Sequence, residues 1–97
     1  MLTSKQRSQL KSLAQNEDTI VMVGKSGIND MLIASVKDAL KAREIVKGRV
    51  LENSMLTPRE ACEQLAEACD AEPVQVIGTK FVLYRHNREN PKIKLVR

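Results

Sequence analysis

The chain predicts an α/β sandwich around a mixed four-stranded sheet, in the order α-β-α-β-α-β-β. Three observations predict it. The apolar, β-branched runs 19–23 and 45–51 flank a helix-like stretch, a strand–helix–strand crossover that makes the two strands a parallel pair. Runs 74–77 and 80–85 are split only by Gly78-Thr79, and glycine first in a two-residue loop is the type II′ hairpin signature. Helix-start signals stand at Thr3, Asn29 and Thr57, each ahead of an apolar stripe.

In chain order, Thr3 with Gln6 forms a capping box, and Leu10, Leu13 and Ala14 give the first helix a thin apolar stripe with Lys5, Arg7 and Lys11 on other positions. The polar 15–18 stretch reads as a loop. Residues 19–23 are apolar without alternation, which predicts a strand buried on both faces. After Gly24-Lys25-Ser26-Gly27, Ile28 and Ile33 staple a helix capped by Asn29 and running to about Arg43, with Leu32 or Ile33, Val36, Ala39 and Leu40 inward. In the strand 45–51, Gly48 marks a weak point, a bulge or a close approach. Thr57-Pro58-Arg59-Glu60 opens the third helix, whose inner side is Ala61, Cys62, Leu65, Ala68 and Cys69, with Glu63, Glu67 and Asp70 towards water and Pro73 closing it. Beyond His86 the tail is polar and basic, and Ile93, Leu95 and Val96 either add an edge strand or stay loose.

With 97 residues the chain, 1–97, is one domain with a basic tail from about 86. It has no apolar run of membrane-spanning length and no apolar leader after Met1, which places it in the cytoplasm without membrane contact. Cys62 and Cys69 are roughly 10 Å apart along a helix axis, too far for a disulfide, and read as core. The formal net charge of +4 is unevenly spread: 1–50 carries +4, 51–79 carries −5 and 80–97 carries +5. If the basic ends meet in space, one face suits a polyanion.

The Gly24–Gly27 loop is either a tight corner or a phosphate contact. For contact, two glycines let backbone N–H groups approach phosphates, Lys25 adds charge, and a helix N-terminus follows. Asp30 in the first turn opposes an anion on the helix axis, so the geometry suits loop-to-backbone contact rather than a phosphate pocket. The spacing is not that of a Walker loop.

With that loop in place the chain resembles the CRM (chloroplast RNA splicing and ribosome maturation) domain in its bacterial single-domain, YhbY/YqeI-like form. The matching stretches are 2–7 with 10–14, then 23–29, 42–47, 74–80 and 83–85, in family order and spanning nearly the whole chain. The resemblance implies an RNA-binding module on precursors of the large ribosomal subunit, with a fold similar to the C-terminal domain of translation initiation factor three. It likens the GxxG loop, here Gly24, Lys25, Ser26 and Gly27, to the RNA-contacting loop of KH domains, although this one joins a strand to a helix. Gln15 stands where relatives tend to have histidine, and Gly48 where a β-branched residue is usual.

The expected RNA contacts are therefore Gly24, Lys25, Ser26 and Gly27, with Lys5, Arg7 and Lys11 as a group, and Lys41, Arg43, Lys80 and Arg85 in the second rank. No catalytic, metal or cofactor site is expected. His86 is the only histidine, and Ser26 lacks a base partner. Phe81 and Tyr84, the only aromatics, read as core, which argues against base stacking on the sheet in the manner of an RRM and for recognition of backbone and shape. The expected protein is a monomer without a small-molecule substrate. The rival is an adaptor docking on a ribosomal protein or assembly GTPase through the acidic third helix or a sheet edge. A weaker one, a phosphometabolite binder, would need a deep pocket at Gly24–Gly27.

Overall fold

The computed structural model describes residues 2–96; Met1 and Arg97 lie outside it. The elements are α1 (Ser4–Ala14), β1 (Thr19–Val23), α2 (Asp30–Arg43), β2 (Ile45–Val50), α3 (Pro58–Cys69), β3 (Glu72–Ile77) and β4 (Lys80–Tyr84). Each helix begins where its cap residue stands. Thr3 and Thr57 accept the N–H groups of Gln6 and Glu60, whose side chains accept the cap N–H groups in return. Asn29 Oδ1 accepts Leu32 N–H at 2.9 Å. These bonds occupy donors that the first helical turn cannot satisfy.

The sheet order is β1-β2-β4-β3. β1 is parallel to β2, β2 antiparallel to β4, and β4 antiparallel to β3, so the expected mixed sheet and α/β sandwich are present. Gly78 has φ +57° while Thr79 does not share that sign, as a type II′ turn requires. α2 and α3 cover one face over a core that includes Val23, Val36, Leu40, Leu65, Phe81 and Leu83. α1 covers part of the other through Leu10 and Ala14, over Ile45, Val74, Val82 and Tyr84. Gly48 is a close approach: a Cβ there would stand 2.3 Å from the Phe81 ring, so the bare backbone is what lets the ring lie across β2.

Several local expectations are corrected. β1 is not buried on both faces. It is an edge strand, Val21 and Val23 pack inward, and Ile20 and Met22 are 41% and 56% exposed because α1 stops short of it. Leu13 is exposed, since it lies about 80° round the helix from the midline of Leu10 and Ala14. In α3, Ala66 is buried and Ala68 faces solvent, the side away from Cys62, Leu65 and Cys69. α3 is ended by Asp70 in the left-handed conformation rather than by Pro73. Pro73 sits inside β3, where an edge position beside a bulge spares its missing N–H.

Among the described residues the tail forms no strand, yet it is placed by Glu44. This residue is fully buried at φ 64°, and its carboxylate accepts the backbone N–H groups of Asn87 (2.7 Å), Ile93 (2.6 Å) and Lys92. Ile93 and Leu95 then pack against the α1-side core, and Gln9 bonds Lys94 O and Val96 N–H.

Candidate nucleic-acid interface

The GxxG segment is a closed β-turn. Gly27 N–H donates to Gly24 O at 3.0 Å, with Lys25 and Ser26 exposed at its tip. Gly27 has φ +65°, the left-handed region where a side chain is strained. Gly24 has ordinary room beside Leu51 and Asn53, so its need for glycine is not steric. The turn stands at the end of the sheet where β2 also finishes: Leu51 N–H donates to Val23 O, and Val50 N–H donates to Thr79 O in the hairpin. Lys25 and Lys80 therefore belong to the same end of the sheet.

Below this end lies the part of the sheet that α1 leaves open. Cross-strand pairing places Met22 beside Arg49, Arg49 beside Lys80 and Lys80 beside Ile77. Lys47 lies one step down, with its Nζ 3.3 Å from Ala14 O at the end of α1. The strand residues on this open stretch (Ile20, Met22, Lys47, Arg49, Lys80, Gln75, Ile77) include three cations and no acid. Lys47 and Arg49 were absent from the residues expected from sequence. Their signal was the alternation in β2, where Ile45, Lys47 and Arg49 share one face and Val46, Gly48 and Val50 the other.

The remaining candidates divide. Lys5 is exposed on α1 and Lys11 half-buried. Arg7 turns inward, its guanidinium donating to Pro73 O at 2.5 Å and Val74 O at 3.1 Å, which ties α1 to the edge strand. Lys41, Arg43 and Arg85 are exposed, but at the opposite end of the sheet, where α2 finishes and β4 leaves. A six-residue strand puts roughly 17–20 Å between that end and the Gly24–Gly27 turn. The structure thus sets Lys25 at the end of the sheet where Arg49 and Lys80 pair, and Lys41, Arg43 and Arg85 at the other.

The larger groove lies at that far end, between the α2 terminus and the tail, and the Gly24–Gly27 turn does not line it. At the same end of the sheet, burial acts to raise the Glu44 carboxyl, but the Asn87, Ile93 and Lys92 N–H groups outweigh this and His86 adds to them, leaving the pKa below its usual value. Burial, with Glu63 nearby, pushes the Cys62 thiol up to about 11. Burial raises Cys69 as well, so both free thiols are poor nucleophiles at neutral pH. Among the described residues no cluster of three metal-ligating side chains occurs and no helix is long and apolar enough to cross a membrane. Phe81 and Tyr84 are buried, as expected.

Comparison with known proteins supports the fold and gives the family. The family model described as the CRS1 / YhbY (CRM) domain matches residues 2–85. The chain is 40% identical over 95 residues to "Probable RNA-binding protein YqeI" of Bacillus subtilis, covering 98% of this chain and 99% of that one. It is 33% identical over 96 residues to an "RNA-binding protein" of Haemophilus influenzae, covering 99% and 96%. The solution structure of the hypothetical protein SAV1595 from Staphylococcus aureus, described there as a candidate RNA-binding protein, superposes with a TM-score of 0.81 at 46% identity, covering 99% of this chain and 100% of that one.

Proposed function

From the premise that the chain belongs to the CRS1/YhbY (CRM) domain family, we propose that it is a cytoplasmic, monomeric RNA-binding protein acting on precursor ribosomal RNA during large-subunit assembly. Residues 1–97 act as one RNA-binding domain, without catalysis, cofactor or small-molecule substrate. The Gly24–Gly27 turn meets the RNA backbone, with Lys25 on phosphate. Lys47, Arg49 and Lys80 continue the contact along the open sheet, Lys5 and Lys11 extend it along α1, and Arg7 holds α1 in place. Lys41, Arg43 and Arg85 give a second, separate contact at the far end.

One observation carries this reading: the exposed lysine turn closes the end of an open stretch of sheet whose strand residues include three cations and no acid. The acidic surface of α3 lies across the sheet, where it does not oppose a polyanion. Phosphates are the chemistry that such a face attracts, and the attraction falls steeply with salt.

Lys25→Glu tests the proposal in a filter-binding titration with large-subunit ribosomal RNA. Affinity is expected to fall by about tenfold or more, since one contact is lost and a repulsion added. Reversal of Glu63 and Glu67 on α3 is the control and leaves RNA affinity intact or slightly higher. The reverse pattern would favour a protein-docking adaptor.

A further inference from the structure

The open sheet face is not uniformly cationic. Its outer row runs Met22, Arg49, Lys80, Ile77 as direct cross-strand neighbours, one residue from each strand. The two ends of the row are apolar and largely in water, Met22 at 56% and Ile77 at 61% exposure. At about 4.8 Å between strands the row spans roughly 14 Å. Met22 stands two residues before the Gly24–Gly27 turn and Ile77 adjoins the hairpin, so the row lies beside Lys25.

A fully paired RNA helix would present this row with phosphates and ribose hydroxyls while hiding its base faces. Lysines suffice for that ligand, and exposed Met22 and Ile77 would have nothing apolar to cover. Unpaired nucleotides offer both chemistries: a phosphate chain for the cations and base faces for the methionine, the isoleucine and the plane of a guanidinium. The buried state of Phe81 and Tyr84 leaves the Arg49 guanidinium as the planar cation on the face.

We infer that this row is a platform for single-stranded RNA: Arg49, Met22 and Ile77 lie against unpaired bases, while Lys25 and Lys80 hold the phosphates between them. The inference rests on the RNA-binding reading above and narrows its ligand to unpaired segments.

Fluorescence anisotropy of the intact protein with a labelled, unstructured RNA of about 12 nucleotides, alone and annealed to its complement, tests it, the length being that of single-strand sites of similar size. The wild type is expected to favour the single strand by about tenfold or more. Arg49→Lys keeps the charge and loses the plane, and should weaken single-strand binding about fivefold while leaving the duplex unchanged. Met22→Ser with Ile77→Ser should do the same, and Lys25→Glu should weaken both RNAs. All four positions are exposed, so thermal melts matching wild type verify folding. Crosslinking of wild-type protein to 4-thiouridine RNA needs no variant and should mark β1, β2 or the β3–β4 hairpin. Equal affinity for both RNAs, with Arg49→Lys and the Met22/Ile77 pair silent, overturns the platform. Loss of both RNAs in Lys25→Glu would still leave the broader RNA-binding reading standing. If the wild type binds neither RNA, both readings fall.

Discussion

Two buried residues show how single positions shape this molecule. Gly48 leaves the space that the Phe81 ring fills, and that ring is fully buried in the core. Gly48→Ala is expected to cost about 1–3 kcal/mol, the usual range for overpacking, read as a lower urea midpoint. Glu44 holds a left-handed backbone without being glycine, a conformation that costs about 1 kcal/mol or more. The three N–H groups received by its carboxylate offset that cost and fix the tail. Its folded pKa lies below the ordinary 4.5, so the carboxylate's contribution is present above the unfolded value and is lost as pH falls through the folded one. Acid titration should therefore show stability declining below about 4.5, and Glu44→Gln should flatten that decline. Hydrogen exchange at Asn87, Lys92 and Ile93 N–H should accelerate in the same variant. The sequence marked Gly48 as either a bulge or a close approach, because glycine in a strand is locally conspicuous, and the structure shows the second. It did not show Glu44, whose partners are 43 to 49 residues away.

At the scale of elements, what was legible is what neighbours in the chain decide. Helix starts at Thr3, Asn29 and Thr57 follow from contacts three residues long, and the hairpin from one glycine. Thr57→Ala removes one such contact and should lower stability by about 1 kcal/mol. Gly27→Ala should cost a similar amount, about 1 kcal/mol, by straining the turn, whereas Gly24→Ala should be nearly neutral to folding. Comparing RNA affinity of Gly24→Ala with its stability separates backbone approach from fold. What was illegible depends on pairing. Nothing in Thr19–Val23 says that α1 stops before β1, so an apolar strand looked doubly covered when half of it is exposed. Pro73 looked like a helix stop because its tolerance in β3 comes only from the edge position. Arg7 looked like a free cation, and the carbonyls that take it up belong to a strand 66 residues away.

Across the whole molecule, folding separates charge by side. The acidic helix and its partner α2 cover one face of the sheet, while the other carries α1 and the open stretch with Lys47, Arg49 and Lys80. Net charges along the sequence pointed to such a division, but not to the sheet as its bearer, because α1 had been credited with the cations. In the proposed function the Lys25 turn and the open sheet act as one cationic surface, and salt dependence tests that account most directly. Affinity for large-subunit ribosomal RNA would be measured over a series of salt concentrations for wild type and for Lys25→Ala with Lys80→Ala. The account predicts a steep wild-type line of log affinity against log salt, and a variant line shallower by about 0.7–0.9 for each lysine removed. Parallel lines for the two proteins would contradict it.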